Sequence, residues 1–192
     1  MKYLITVILI ICLSTTKGNA QEVSVEESIW GIQALMLPLS VYNESKLTNN
    51  IALRSELALG FSWSGGGYFD NSSQWKVIPY LNIEPRYYYN LNRRSQKGKR
   101  TDNNSGNYLS LFACFQPGFG ITSKNNDLFP AVYIIPTYGL RRNIGKHFNY
   151  ETALGFGYGW EFKEITYSNG ETGSYTDTGT LFNFRLALGY IF

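Results

Sequence analysis

Thr180-Leu181-Phe182-Asn183-Phe184-Arg185-Leu186-Ala187-Leu188-Gly189-Tyr190-Ile191-Phe192 alternates with a period of two. Phe182, Phe184, Leu186, Leu188, Tyr190 and Phe192 fall on one face. Asn183, Arg185, Ala187, Gly189 and Ile191 fall on the other. The buried face of a strand in a soluble sandwich is seldom that long, that large and that aromatic at both ends. A lipid-facing strand has this form, with rings at the two interfaces and aliphatics between them. The opposite face, small residues and one arginine, suits a crowded polar lumen.

The same period recurs upstream. Ile51, Leu53, Leu57, Leu59, Phe61 and Trp63 oppose Arg54, Glu56, Ala58, Gly60 and Ser62. Val77, Pro79, Leu81, Ile83, Pro85, Tyr87 and Tyr89 oppose Asn82, Glu84, Arg86 and Tyr88. Phe148, Tyr150, Leu154, Phe156, Tyr158 and Trp160 oppose Asn149, Glu151, Ala153, Gly155, Gly157 and Gly159. Residues 107–116 and 128–142 alternate in the same way, and 28–42 does so poorly, because both faces are apolar from Ala34 to Leu39. With 180–192 this makes seven clear strands. Pro38, Pro85 and Pro136 recur at similar places in three of them and read as kinks or bulges, since proline lacks a ladder donor.

Single-chain bacterial barrels have even strand numbers. The expected fold is therefore all-β, a closed antiparallel transmembrane β-barrel of about eight strands. The missing strand is either the short stretch 21–27 or a hairpin inside 22–42 near Gly31. Short turns at 43–50 and 143–146 fall on the periplasmic side, and longer loops at 64–74, 117–127 and 163–179 on the extracellular side. The polar, basic stretch 91–106 (Arg93, Arg94, Lys97, Lys99, Arg100) is periplasmic by alternation only.

Residues 1–20 read as a signal peptide. Lys2 precedes an apolar run, Leu4–Leu13, too short for the ~20 residues of a spanning helix. Gly18 and Ala20 suit a cut before Gln21. Cys12 follows Ile11, which does not suit lipoprotein processing. The mature domain, 21–192, then holds one cysteine, Cys114, so neither an internal disulfide nor a cysteine metal cluster is available. The formal net charge of +3 is too small to argue for nucleic acid. Gly65-Gly66-Gly67 and Gly98-Lys99 lack the rest of a phosphate-binding loop, and no cofactor or metal motif appears.

Ile83-Glu84-Pro85-Arg86-Tyr87-Tyr88-Tyr89 and Arg141-Arg142-Asn143-Ile144-Gly145-Lys146-His147-Phe148 resemble inner-turn segments of small outer-membrane β-barrel proteins of Gram-negative bacteria, of the Bacteroidetes type. The resemblance covers most of the mature chain. It implies residence in the outer membrane, among its lipid and lipopolysaccharide. It also implies that Phe192 is the terminal aromatic read by the barrel-assembly machinery.

Arg54, Arg86, Arg141 and Arg185 face the lumen with Glu56, Glu84 and Glu151. Charges in a narrow lumen must be paired, and ~8 strands leave room only for side chains or one small ligand. The set therefore reads as an ion-pair plug, or as a gated ion path through one. Ala58, Gly60, Ser62, Gly155, Gly157 and Gly159 line the outer half, where they either relieve crowding or open a small pocket. His147, the only histidine, reads as a turn residue. Tyr68, Phe69, Tyr167 and Tyr175 among Ser, Gly and Asn give surface loops a composition suited to recognition. The leading expectation is a non-enzymatic barrel whose loops bind an extracellular ligand. An accessory of protein assembly or secretion, contacting a periplasmic partner through the basic turn, comes second. An outer-leaflet lipid-modifying enzyme comes third.

Overall fold

The computed structural model describes residues 23–34, 39–64, 74–123, 128–166 and 171–192. The expected leader, Cys12, Pro38, Tyr68, Phe69 and Tyr167 lie outside these residues. The chain is all-β. Its strands are β1 (Ser28–Ala34), β2 (Leu39–Lys46), β3 (Ile51–Ser64), β4 (Gln74–Tyr88), β5 (Asn107–Gln116), β6 (Ile121–Thr122), β7 (Ala131–Ile144), β8 (Phe148–Thr166) and β9 (Thr172–Ile191). Every pairing is antiparallel, and each strand but β6 pairs with a ring neighbour on both sides, so eight strands form a closed ring. The two-residue β6 pairs with Lys76 and Val77 of β4 at the rim. No helix among the described residues is long and apolar enough to cross a membrane.

The missing strand comes from 28–42, which is two strands rather than one. The break lies between Ala34 and Leu39, not at Gly31, and residues 23–27 form no strand. Gly31 instead pairs with Tyr42 in the middle of the β1–β2 ladder. β2 also runs to Lys46, four residues into the stretch expected to be a turn. Alternation failed here because both faces of the sequence are apolar from Ala34 to Leu39.

Two further expectations are corrected. Of the stretch 163–179, residues 163–166 and 172–179 are strand rather than loop. β8 and β9 stay paired from Phe148↔Tyr190 out to Thr166↔Thr172, whereas β7 accompanies β8 only as far as Ala131↔Glu161. The excess leaves the ring as a two-stranded arm. The stretch 91–106 is not a simple turn. It holds a short helix, α1 (Leu91–Gln96), and a 3-10 turn at Asp102–Asn104.

These pieces close one end of the ring, here called the base. Leu91 of α1 packs with Val25, Ala52, Tyr88 and Tyr108 in a buried apolar cluster. Residues 23–26 cross beneath it, held by Val23 N–H to Asn92 Oδ1 (2.9 Å), Val25 N–H to the Asn49 carbonyl (2.9 Å) and Glu26 N–H to Asn104 Oδ1 (2.8 Å). The long segment that broke the length rule is thus a folded closure.

Pro85 and Pro136 each leave a gap in one ladder. The β4–β5 pairs stop at Ile83↔Ala113 and resume at Arg86↔Ser110. The β7–β8 pairs stop at Ile134↔Tyr158 and resume at Thr137↔Gly155. The register is the same on both sides of each gap, so no residue is inserted and neither proline makes a bulge.

The outward face is a continuous apolar wall. Leu57, Leu81, Leu109, Leu154, Phe156 and Phe182 are all exposed, the last two by 65% and 67%. Aromatic rings crowd its two edges. Tyr190 packs among His147, Phe148 and Phe192 near the base. Tyr158 packs edge-on against Trp160 (5.1 Å) toward the rim, where Trp63 pairs with Trp75. Phe148 and Trp160 stand twelve residues apart on β8. At ~3.3 Å per residue and ~40° of tilt, that is roughly 30 Å.

Candidate functional site

Strand parity sends the charged residues inward, and register brings them to one level. Glu44 of β2 lies opposite Arg54 of β3, which lies opposite Glu84 of β4. Across the ring, Arg141 of β7 lies opposite Glu151 of β8. Neighbouring strands thus present opposite signs, the favourable cross-strand arrangement.

Glu151 is the hub. It accepts two hydrogen bonds from Arg86 (2.8 and 2.9 Å), one from Arg185 (2.8 Å) and one from the Tyr108 hydroxyl (2.8 Å). Arg141 and Arg54 approach its other oxygen at 3.3 and 3.8 Å. Glu84 accepts from Arg86 (2.6 Å), Arg185 (3.0 Å) and the Ser110 hydroxyl (2.6 Å). Arg54 donates to Glu56 and to Gln33 Oε1. Arg86, Arg141, Glu44 and Glu151 have no exposed surface. The seven charged residues singled out in the sequence are therefore all brought together.

Glu44 completes the set, and sequence reasoning missed it. It lies 3.1 Å from Arg141 and 3.4 Å from Arg86, and accepts from Tyr88 Oη (2.8 Å) and Asn104 Nδ2 (2.6 Å). The signal was present, since Ser40, Tyr42 and Glu44 continue the inward parity. It was hidden by reading Asn43 onward as a turn. With Glu44, four arginines meet four glutamates and the network is neutral. Burial of such charges is tolerated only with pairing and further hydrogen bonds.

Tyrosine faces supply the rest of the packing. The guanidinium carbons of Arg54 and Arg141 stand 3.7 and 5.3 Å from the Tyr42 ring centre, and that of Arg86 stands 4.3 Å from the Tyr108 ring centre. Such stacking adds cation–π attraction. It matters most for Arg141, whose nitrogens sit at ion-pair distance from Glu44 and Glu151 but off hydrogen-bond geometry. Each ring lies over a cross-strand glycine. A Cβ on Gly31 would meet Tyr42 Oη at 2.6 Å, and one on Gly139 would meet Tyr108 Cζ at 2.2 Å.

The small residues above the network divide by strand. On β8, a Cβ at Gly155, Gly157 or Gly159 would strike Ile135, Pro136 or Tyr133 and the β7 backbone, so these glycines relieve crowding. Across the ring, Ala58, Gly60 and Ser62 border a cavity of about 360 Å³. Cys114, a free thiol, lines the same cavity.

The remaining candidates lie elsewhere. His147 sits at the base, its Nδ1 3.1 Å from the Ile191 carbonyl and its ring stacked on Tyr190. Phe192 is 72% exposed and donates its N–H to the Trp30 carbonyl (3.1 Å). Tyr175 is exposed on the arm. In the basic stretch, Arg94 caps the Arg100 carbonyl (2.9 Å) and Arg100 grips Asp102 through both oxygens. Those bonds hold the Asp102 carboxyl below the usual carboxylate range. No group of three or more metal-ligating side chains occurs among the described residues. No family model, curated protein or solved structure matches the chain.

Proposed function

We propose that the chain is an integral β-barrel of the bacterial outer membrane, closed to solutes, that presents its β8–β9 arm and rim for recognition outside the cell. One observation carries this reading, namely an exposure pattern inverted relative to a water-soluble protein. Four arginines and four glutamates are enclosed, while leucines, phenylalanines and tryptophans cover the outside. Water-soluble proteins almost never bury charge in that proportion or expose apolar patches of that extent. Lipid reverses both preferences. The ~30 Å between the aromatic edges suits a membrane core of about that thickness.

What supports a non-enzymatic role is the engagement of the buried carboxylates. Each carboxylate is engaged by two or more donors, which opposes its use as a base or nucleophile. His147 is at the base, tied to the backbone and apart from the network.

Electrophoretic heat-modifiability and liposome flotation test the membrane reading. The purified protein, folded in detergent, is expected to migrate differently before and after boiling, and to float with liposomes after an alkaline wash. A protein that stays soluble without detergent and does not float overturns it.

A further inference from the structure

The cavity beside β3 has a floor unlike its walls. Ala58, Gly60, Ile78, Tyr80, Phe112 and Cys114 form much of the wall. The floor is the top of the charge network, where Gln33, Glu56, Asn82 and Arg185 reach it. Gln33 and Asn82 are 4% and 6% exposed, and each has one polar atom with no partner, Gln33 Nε2 and Asn82 Oδ1. Their charged neighbours fix which atom is left over. Gln33 turns its oxygen to the Arg54 guanidinium, and Asn82 gives its Nδ2 to Glu56 Oε1 (3.1 Å). One donor and one acceptor, each on a side chain that lines the cavity floor, are therefore left unpaired, and an unmade buried hydrogen bond of this kind is costly. The four-to-four charge balance beneath leaves no excess charge for a ligand to neutralise.

The cavity also reaches the outer wall. β1 and β9 pair only over Gly31–Ala34 and Leu188–Ile191, and β2 and β3 stop pairing at Leu39↔Leu59. Above that level no strand stands between β3 and β9 among the described residues. Phe61 of β3 and Phe184 and Leu186 of β9, all on outward parity, border the cavity there.

We propose that this cavity binds a small uncharged amphiphile. An amide or alcohol head accepts from Gln33 Nε2 and donates to Asn82 Oδ1, and a short apolar tail lies along the Ala58–Ile78–Cys114 wall toward Phe61 and Phe184. The volume falls at the lower end of small-molecule sites. Entry from the apolar side rests on the membrane reading above, whereas the head-group site does not.

Saturable binding of tritiated octanamide to the protein in nanodiscs, with empty nanodiscs subtracted, is the test. One site is expected. Octanol competes, while octanoate and octylammonium compete at least about tenfold less well, because a charge would enter unpaired. Asn82→Leu weakens binding by about five- to tenfold, the loss of one hydrogen bond. Cys114→Trp fills the cavity and removes saturable binding, and Gly179→Ala, where an added methyl meets nothing within 4 Å, leaves it unchanged. Folding of each variant is read from its heat-modifiable migration. Equal competition by the charged probes, no saturable site, or full binding by a folded Cys114→Trp variant overturns the proposal. Saturable binding by a protein that fails to float with liposomes keeps the site and removes the membrane reading. Flotation without saturable binding does the reverse.

Discussion

Arg86 is the arginine that reaches the most glutamates. It touches Glu84, Glu151 and Glu44 and stacks on Tyr108. Arg86→Ala leaves two carboxylates short of their main donor in a place water does not reach. The expected cost is about 3–5 kcal/mol, seen as a lower unfolding midpoint in detergent. An unchanged midpoint would mean that the network adds nothing to stability. Glycine gives a finer probe of the same packing. Gly139→Ala drives a methyl into Tyr108, which must shift away from both Glu151 and Arg86, at about 1–3 kcal/mol. At Gly179 an added methyl meets nothing within 4 Å, so Gly179→Ala is expected to unfold at the wild-type midpoint. At the base, the Arg100–Asp102 pair favours the folded state when the carboxyl is ionised. Asp102 has a folded pKa below its unfolded one, so this contribution is present above the ordinary carboxylate range and is lost as pH falls through the lowered value. Asp102→Asn should flatten that part of an acid titration of stability.

The arm belongs to the scale of elements, and so does the limit of sequence reading. Period two reveals a strand only where its two sides meet different surroundings. Along β3, β8 below Glu161 and β9 below Asp177, one side is the apolar wall and the other the charged interior. There the faces were legible residue by residue, Arg54, Glu151 and Arg185 included. Beyond Glu161 neither side of the ribbon is consistently apolar, so Lys163 to Thr166 and Thr172 to Asp177 carried no alternation and read as a loop. From Ala34 to Leu39 both faces of the sequence are apolar, with the same outcome, and Glu44 was lost with it. The register now allows a clean test of recognition. Phe162 and Thr176 are cross-strand partners, so replacing residues 163–175 with Asn-Gly closes the hairpin with a favoured two-residue turn. The shortened protein should keep heat-modifiable migration and lose binding to extracellular matrix and glycan arrays relative to wild type. Equal binding by both would exclude the arm from recognition.

For the whole molecule, size and charge point to closure. A ring of eight strands encloses room for side chains, whereas aqueous channels need roughly twice as many. This interior is spanned by eight paired charges, and beneath them Leu91, Val25, Tyr88 and Tyr108 fill the base. Planar-bilayer recording of the wild type is expected to show no steady conductance. Channels of porin-like size would overturn the closed reading. Arg86→Ala combined with removal of residues 23–27 takes away part of both obstructions, and intermittent openings are the expected result.

A loop fastened unevenly around its circumference gives way at its shortest clasp. Among the described residues, β8 and β9 are joined along nineteen residue pairs, β1 and β9 along four. The union of the first strand with the last is therefore the weakest joint in the circle, and the buried contact of Ile29 and Tyr42 with Ile191 lies beside it. Pulled by opposite ends in a force spectrometer, the molecule should part there at its lowest rupture force, peeling β1 and β2 off as one flap before the remaining strands yield.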